Sequence, residues 1–359
     1  MSGQPPYDAV VVVSFGGPEG PAEVIPFLEN VLRGRDVPRA RLERVAEHYQ
    51  AFGGVSPING QNRALVAALR EELAAHHIDL PVYWGNRNWA PYLIDTVGRM
   101  RVDGVRRALA FVTSAYASYS GCRQYLDDIA AARLAVGAEA PAIDKLRLFF
   151  NHPEFVALWA QSVRDALDRA GPASEAPEVL FSAHSIPVTM ASTSDYVAQL
   201  TETARLVAAG AGLGGAGLGG PRWRLAWQSR SGPPTQAWLE PDVTDVIATL
   251  PDDTEAVVVA PVGFVSDHME VVYDLDTQGA EAARRRGVRM ERAATPGVHP
   301  RFVSMIRELI EERLDPTRPR PALGDLGAAP DVCAAGCCPA PRRPPAAAAG
   351  APRRFEAPA

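Results

Sequence analysis

The sequence has almost no lysine, little cysteine and no long apolar run. Lys145 is its only lysine among 359 residues, and arginine supplies the rest of its permanent cations. With 36 lysines and arginines against 42 acidic residues, the formal net charge of −6 excludes a strongly basic nucleic-acid binder. No apolar run approaches the roughly 18–20 residues of a membrane span. The first run also lacks the preceding basic segment that a signal peptide would have. We therefore expect a cytoplasmic protein.

Cysteine is scarce, with four in the chain, and three of them, Cys333, Cys337 and Cys338, crowd one short stretch. Thiols in a cytosolic chain rarely form disulfides. Four cysteines suit either a [2Fe–2S] cluster or structural zinc, although DVCAAGCCP lacks the paired CxxC of a zinc ribbon. The segment that carries them has too few apolar residues to pack alone, so a metal shared with Cys122, the only other thiol, would dock it onto the body.

Apolar runs alternate with amphipathic helical patterns along most of the chain. The alternation predicts parallel sheets of βαβ units, and about eight strands favour two smaller α/β halves over a barrel of eight βα units. The helical patterns are Gln61–His77, Asp195–Ala209 and Arg301–Arg313. The predicted strands are Tyr7–Phe15, Pro81–Gly85, Arg107–Thr113, Leu146–Phe150, Val179–Ala183, Arg224–Gln228, Ala256–Pro261 and Val288–Arg292.

Two of these strands lead to candidate catalytic residues. His184 ends VLFSAH, and ligands of open α/β sheets gather beyond the carboxyl ends of the strands. It can accept a proton or bind a metal there, with a histidine satisfied by nearby backbone as the alternative. After AVVVAP, Glu270 and Asp274 are spaced to share one helix face, and Asp267 leads into that turn. Stacked carboxylates repel unless a cation or proton relieves them, which indicates a divalent-metal path; a solvated acidic face is the alternative.

Six motifs then occur in order: SFGGPEGP (14–21), FGGVSPING (52–60), WGNRNW (84–89), FSAHSIP (181–187), QSRSGPPTQAWLEP (228–241) and GFVSDHMEVVYDLD (263–276). Together they resemble the ferrochelatase family over residues 7–315, and most closely its actinobacterial members. In the family's Gram-positive branch these enzymes insert ferrous iron into coproporphyrin III rather than protoporphyrin IX. The resemblance implies two Rossmann-like α/β halves, each with a four-stranded parallel sheet, a porphyrin cleft between them, and no nucleotide.

The resemblance also implies roles for single residues. The family's catalytic histidine matches His184, which would accept a pyrrole proton or bind iron first, and its paired glutamate matches Glu270. Asp274 would extend the acidic path, while a carboxylate that some relatives carry near Gln278 is absent. On the opposite face of the porphyrin the family places Phe15, where some relatives have a tyrosine that ligates the product iron. Phenylalanine can only stack or pack, so we expect weaker capture of that iron.

By the same resemblance, several residues are candidates for contacts with the substrate carboxylates. Arg33 is expected to contact a propionate, and Ser56 and Tyr125 to donate hydrogen bonds to others. Arg87 and Asn88 would line the same cleft. Coproporphyrin carries four propionates, so a cleft with several donors suits it. For Arg33, Ser56 and Tyr125 a surface or packing role is the alternative.

Several ferrochelatases, including actinobacterial ones, carry a [2Fe–2S] cluster with three ligands near the C-terminus and one distant. The resemblance therefore favours this cluster over zinc, with Cys122, Cys333, Cys337 and Cys338 as ligands, although the adjacent Cys337 and Cys338 depart from the spacing expected in relatives. Because iron insertion is not a redox step, stability or sensing is the expected role.

The predicted organisation has four parts. Residues 1–117 with 298–320 form the first α/β half, and residues 118–297 form the second. Residues 321–338 carry the cysteines, and residues 339–359 are a proline-rich tail expected to be disordered. The expected partners are a porphyrin and ferrous iron, without nucleic acid or a membrane span. A transient contact with the next enzyme of haem synthesis would pass on the product, though no residue points to it.

Other functions remain as alternatives. A protoporphyrin IX ferrochelatase would use the same motifs. A non-catalytic porphyrin- or haem-binding protein on this fold would have no need of a base paired with a carboxylate. A nucleotide-sugar transferase is disfavoured, because Pro18 removes a backbone donor from the FGGPEG loop that would have to hold phosphate.

Overall fold

The computed structural model describes residues 6–33, 37–171, 177–214, 222–233 and 235–341. The predicted architecture of two α/β halves is confirmed, because the strands form two separate four-stranded parallel sheets. Each sheet is open, so the eight-unit barrel is wrong. The strands are β1 (Ala9–Ser14), β2 (Val82–Asn86), β3 (Arg107–Val112), β4 (Ala142–Lys145), β5 (Glu178–His184), β6 (Trp223–Gln228), β7 (Ala256–Ala260) and β8 (Arg289–Arg292).

Helices connect the strands and cover both faces of each sheet. They are α1 (Val24–Val31), α2 (Arg39–Gln50), α3 (Ile58–Ala75), α4 (Leu93–Val102), α5 (Gln124–Val136), α6 (Pro153–Ala170), α7 (Val188–Ala191), α8 (Tyr196–Ala211), α9 (Val243–Ala248), α10 (Met269–Tyr273), α11 (Ala280–Arg286) and α12 (Pro300–Leu314). Two π-helical turns, Tyr119–Arg123 and Asp274–Gly279, precede α5 and α11.

The two sheets repeat one topology, with orders β2-β1-β3-β4 and β6-β5-β7-β8. In β1 the side chains alternate between two cores: Val10 and Val12 face one, and Val11 and Val13 face the other. This explains the uninterrupted apolar run AVVVVS, since a strand with helices on both faces has no solvent side. One apolar core includes residues of both sheets and of α3, α6, α8 and α12, so the halves share a common centre.

The fourth strand lies earlier than predicted. Ala142–Lys145 pairs with β3, whereas the predicted run Leu146–Phe150 is buried, irregular chain after the strand. That run is apolar because it packs in the shared core, where Phe149 contacts the rings of Phe111 and Phe302. Because β4 completes the first sheet, the predicted boundary after residue 117 is wrong. By sheet pairing, the chain through Lys145 belongs to the first half.

Residues 315–341, which we call the C-terminal arm, lie against the body after α12. The side-chain amide of Asn151 donates to the carbonyls of Leu323 and Gly327, at 2.9 and 2.8 Å. Arg147 forms a bidentate ion pair with Glu312 on α12, at 2.7 and 2.8 Å, and donates to a carbonyl of the arm. Of the predicted disordered tail, residues 342–359 lie outside the described residues. In the described part of the chain, no helix has the length and apolarity to cross a membrane.

Candidate active site

His184 is the last residue of β5 and lies at the carboxyl edge of the second sheet. Its Nδ1 donates to the carbonyl of Ser185 at 2.5 Å, which leaves Nε2 directed to Glu270, with 3.4 Å between Nε2 and Oε1. The hydroxyl of Tyr196 donates to the carbonyl of His184 at 2.9 Å. Ser185 thus fixes the imidazole and Tyr196 fixes the backbone of His184, and Nε2 faces a carboxylate.

Glu270 lies in the first turn of α10, and its backbone is fixed by two neighbours. Its N–H donates to Nδ1 of His268, the residue that caps the helix, at 3.2 Å. Its carbonyl accepts from the side-chain amide of Gln228 at 2.5 Å, and Gln228 in turn accepts from Ser182 at 2.8 Å. Its side chain remains 46% exposed, so the carboxylate is both oriented by the protein and reached by solvent.

Asp274 follows α10 at the start of the π-helical turn, one helical turn beyond Glu270. The hydroxyl of Ser229 donates to its carboxylate. Ser229 follows β6 with a φ of 62°, a left-handed conformation that is uncommon for a residue with a side chain. The strand end therefore turns sharply and brings its hydroxyl to the second carboxylate of the acidic face.

The side chains of His184, Glu270 and Asp274 differ in their affinity for protons. Burial opposes ionisation of Glu270, but the attraction of His184 outweighs it and lowers the pKa of Glu270 to about 2. Burial also opposes protonation of His184, and the negative charge of Glu270 overcomes it, so the pKa of His184 is raised. Burial and the nearby Glu270 raise the pKa of Asp274 to about 7, although its hydrogen bond from Ser229 acts in the opposite direction. An ion pair thus stands beside a carboxyl group that exchanges protons near neutral pH.

The first half closes on this group through α2. His48 stacks on Tyr273, which lies between Glu270 and Asp274, with ring centroids 3.9 Å apart. Burial, reinforced by the charges of Glu270 and Asp274, raises the pKa of Tyr49, so its phenol lies within the electrostatic reach of both carboxylates. The catalytic candidates of the second half therefore face a wall supplied by the first.

Phe15 lies on that wall, after the end of β1. Its ring contacts Phe27 at 6.3 Å between centroids, and Phe27 contacts Tyr49 at 5.8 Å. The guanidinium of Arg87 lies 5.9 Å from the centroid of Phe15 and 4.4 Å from that of Tyr125. The exposed fraction of Phe15 is 37%, which leaves an aromatic face for a ligand.

The other residues predicted to contact the substrate differ in burial and in their distance from the His184 group. Ser56 is buried beside Gly17, where any side chain in place of the glycine would come within 2.7 Å of it. Asn88 donates from its backbone and side chain to the carbonyl of Phe15. Arg33 is exposed and donates to Asn30 at 2.5 Å, with no described contact to the His184 group.

The four thiols lie together, although Cys122 and Cys333 are far apart in the chain. Cys122 is buried in a π-helical turn, and its hydrogen bond lowers the pKa of Cys333 to about 6. The sulfur atoms of Cys337 and Cys338 are 3.6 Å apart, and all four cysteines are free. Among the described residues, no group of three or more His, Cys, Asp or Glu side chains is arranged to hold a metal ion. The donors are gathered, but their positions are not those of ligands around a metal.

Four contributors to the site were missed by the sequence analysis. Gln228 ends a predicted strand and Ser229 follows it, so the strand-end argument that selected His184 would have selected them too. His268 lies two residues before Glu270 inside a quoted motif. Tyr49 had no comparable signal, because only the packing of α2 brings it near the carboxylates. An open groove of about 1370 Å³ lies elsewhere, along the edge strand β2, and no residue of the His184 group lines it.

Comparison with known proteins gives a consistent result. The sequence model of the family described as Ferrochelatase matches residues 7–314. A ferrochelatase of Rhodopirellula baltica is 54% identical over 350 residues, covering 97% of this chain and 98% of that one. A coproporphyrin III ferrochelatase of Streptomyces griseus is 51% identical and 96% of each chain is covered. The structure of SirB from Bacillus subtilis with Fe³⁺ shares the fold, with a TM-score of 0.51 at 11% identity, covering 85% of this chain and 95% of that one. The chain therefore belongs to the ferrochelatase family of enzymes, as its six motifs predicted.

Proposed function

We propose that the chain inserts ferrous iron into coproporphyrin III in haem synthesis. The single observation that carries the proposal is the pair of His184 and Glu270, 3.4 Å apart at a strand end. Ferrous ion and the free porphyrin give the iron porphyrin and two protons, since both pyrrole N–H groups must lose a proton as iron enters. The reaction therefore needs a base at the macrocycle and a route that carries protons away.

In this proposal neutral His184 accepts a pyrrole proton at Nε2 and becomes an imidazolium. Glu270 stays ionised at neutral pH and stabilises the imidazolium that forms. Asp274, with a pKa of about 7, takes protons from this pair and releases them to solvent. The same carboxylates can receive the incoming ferrous ion, because oxygen and imidazole donors suit a divalent metal.

The substrate is proposed from the relatives and from the donors of the first half. The Streptomyces relative is named a coproporphyrin III ferrochelatase. Phe15 would stack on one porphyrin face, opposite the His184 group. Arg87, Ser56 and Tyr125, together with Arg33 near the rim, would serve the propionates. A tetracarboxylate needs more such donors than a dicarboxylate, which favours coproporphyrin over protoporphyrin.

We further propose a [2Fe–2S] cluster held by Cys122, Cys333, Cys337 and Cys338. Four thiols match the usual ligand set in number and chemistry, and they are already neighbours. The cluster would fix the C-terminal arm to the body, and no step of iron insertion passes through it. Free thiols and a ferrous substrate are compatible with the reducing cytoplasm.

The deciding experiment is an anaerobic ferrous insertion assay with coproporphyrin III and protoporphyrin IX side by side. Faster turnover of coproporphyrin III supports the proposal, and equal or faster turnover of protoporphyrin IX contradicts the substrate. His184→Ala, checked for folding by circular dichroism, should lower kcat by roughly 10²-fold or more, the usual contribution of a general base. The exposed His77→Asn is the matched control. Porphyrin binding without turnover by the wild type would instead favour a binding protein.

The cluster has its own test. Purified protein should show the visible absorption of a [2Fe–2S] centre, and Cys333→Ser should be colourless and less stable. An unchanged visible spectrum in Cys333→Ser would contradict the ligand assignment.

A further inference from the structure

The guanidinium of Arg292 joins two aspartates at opposite ends of the segment that carries both carboxylates of the site. Its Nη1 and Nη2 donate to the carboxylate of Asp267 at 3.0 and 3.3 Å. Its Nε and Nη2 donate to the carboxylate of Asp276 at 2.6 and 3.0 Å. We call residues 267–276 the carboxylate segment. One side chain therefore holds this segment by its first and its last residue.

The carboxylate segment has little structure of its own to keep its shape. Its helix α10 spans only Met269–Tyr273 and passes directly into the π-helical turn Asp274–Gly279. Isolated helices shorter than about 12–15 residues are marginal in water, so tertiary contacts must fix this one. The side chain of Glu270 is nearly half exposed, so packing around its carboxylate supplies little of that constraint. The spacing of the two carboxylates of the site therefore depends on the contacts that hold the segment.

Arg292 connects the segment to the sheet that carries the imidazole. It is the last residue of β8 and lies in register with Val259 of β7. Its carbonyl accepts from Nη2 of Arg169 on α6 at 2.8 Å. On its other side β7 pairs with β5, whose last residue is His184. The side chain of Arg292 is 18% exposed, so its ion pairs are screened less by solvent than those on the open surface. The clamp thus refers the segment to the frame of the second sheet.

The Asp267 end of the segment is held by two further groups. The hydroxyl of Thr295 donates to its carboxylate at 2.9 Å. Its backbone N–H donates to the side-chain oxygen of Gln61 at 2.9 Å, and Gln61 lies on α3 of the first half. Arg292 therefore closes a set of contacts in which both halves of the molecule take part.

We propose that Arg292 is a positioning residue for iron insertion, which fixes Glu270 and Asp274 relative to His184 by clamping both ends of the carboxylate segment. The inference rests on the roles proposed above for those three side chains and adds a residue that acts through them. A guanidinium presents several N–H donors in a fixed planar fork, so it can serve two carboxylates at once. A lysine ammonium is a compact charge without that geometry.

A purely electrostatic role for Arg292 makes the opposite predictions. A fixed cation beside the carboxylates would repel the incoming ferrous ion. Removing that cation would then lower the KM for ferrous ion, and lysine would replace arginine without loss. A clamp predicts instead that removal slows insertion and that lysine fails to restore it.

The test is anaerobic steady-state iron insertion by the full chain. Arg292→Met should lower kcat by roughly tenfold or more, because a displacement of about 1 Å at reacting groups can cost on the order of 100-fold. The KM for porphyrin should stay within about threefold of wild type, since the proposed stacking residue Phe15 lies in the other half. Arg292→Lys should be about as slow as Arg292→Met. The matched control is Arg289→Met, which removes an exposed arginine from the same strand and should keep the wild-type kcat. Wild-type kcat in Arg292→Met, or recovery in Arg292→Lys, would overturn the proposal.

Amide hydrogen exchange separates a local clamp from a general loss of stability. In Arg292→Met the amides of the carboxylate segment should exchange roughly tenfold faster or more, while those of β5 keep their wild-type rates. Unchanged exchange in the segment, or equal acceleration throughout the fold, would overturn the proposal. Thr295→Val is the milder variant in case Arg292→Met does not fold. It removes one donor to Asp267 and should lower kcat by about two- to threefold, and an unchanged kcat would count against the clamp.

The positioning role and the proposed function fail differently. If the wild type inserts iron and Arg292→Met does so equally fast, the function stands and the clamp is overturned. If the wild type inserts iron into neither coproporphyrin III nor protoporphyrin IX, both are overturned.

Discussion

The imidazole of His48 stacks on the ring of Tyr273 across the boundary between the two halves, with 13° between the ring planes. Tyr273 ends α10, the short helix that begins beside Glu270, and Asp274 follows it directly. Phe52 contacts the same ring edge-on, at 6.5 Å between centroids. The first half thus holds the segment on which the second half carries both carboxylates.

Removing this stack should disturb the carboxylates without removing them. We expect His48→Ala to lower kcat/KM by roughly three- to tenfold, since a contact of this kind contributes about 0.5–1.5 kcal/mol. Steady-state iron insertion measures the effect. His48→Phe, which keeps a ring for stacking, should recover most of the activity, and a phenylalanine variant as impaired as the alanine variant would contradict a stacking role.

The acid limb of the pH profile should belong to Asp274. Its pKa of about 7 means that it holds a proton in acid and can accept one only above neutrality, so the insertion rate should rise as the pH passes about 7. Asp274→Asn should remove this limb and lower the maximal rate by roughly tenfold or more. Asp276→Asn is the neighbouring control, because Asp276 pairs with Arg292 instead. A limb that persists in Asp274→Asn would show that another group is responsible.

The same raised pKa of Asp274 predicts that the residue destabilises the folded protein at high pH. In the folded protein Asp274 binds its proton up to about pH 7, but in the unfolded chain only up to about its ordinary value of 3.8. Stability is therefore lost as the pH rises between these values, and the full penalty is present above pH 7. Asp274→Asn should be more stable than wild type at pH 8 by on the order of 2 kcal/mol, allowing for solvent screening, and equal to it near pH 3.5. Urea unfolding at both pH values measures this, and equal gains at both would contradict the electrostatic explanation.

The pair of Arg147 and Glu312 should be costly to break. Their side chains are 1% and 4% exposed, so Glu312→Ala leaves a guanidinium buried without its partner. We expect a loss of about 3–5 kcal/mol in the free energy of unfolding. Replacing both residues, with Arg147→Met and Glu312→Leu, should restore much of this loss. A double variant as unstable as Glu312→Ala would mean that the pair's hydrogen bonds to the C-terminal arm matter more than its charges.

The parts of the fold that follow from periodicity were predictable. Strands such as β1 and β7 are buried on both faces and have nearly unbroken apolar sequences, and α12 shows its apolar face at helical spacing. The strand Ala142–Lys145 was not predictable, because it carries the charged residues Asp144 and Lys145. The more apolar residues that follow it lie in the core but form no strand. Apolarity reports burial, and it cannot separate a buried strand from buried irregular chain.

At the site, residues at strand ends were predictable and residues brought in by packing were not. His184 and Glu270 follow strands, and the motifs already contained them. Tyr49 and His48 lie on α2, whose sequence carries no sign of the helix it meets in the other half. The meeting of Cys122 with the C-terminal thiols was predicted because the sequence offers no other cysteine.

Cys122 and Cys333, whose thiols influence each other's pKa, lie more than 200 residues apart in the chain. On the ribosome, Cys122 is made long before the other three thiols. All four thiols are present only after every strand of both sheets and α12 have been synthesised. A chain that terminates before residue 333 would keep His184, Glu270, Asp274 and Cys122 but lack the other three thiols. The four thiols can therefore meet only when both α/β halves have been synthesised.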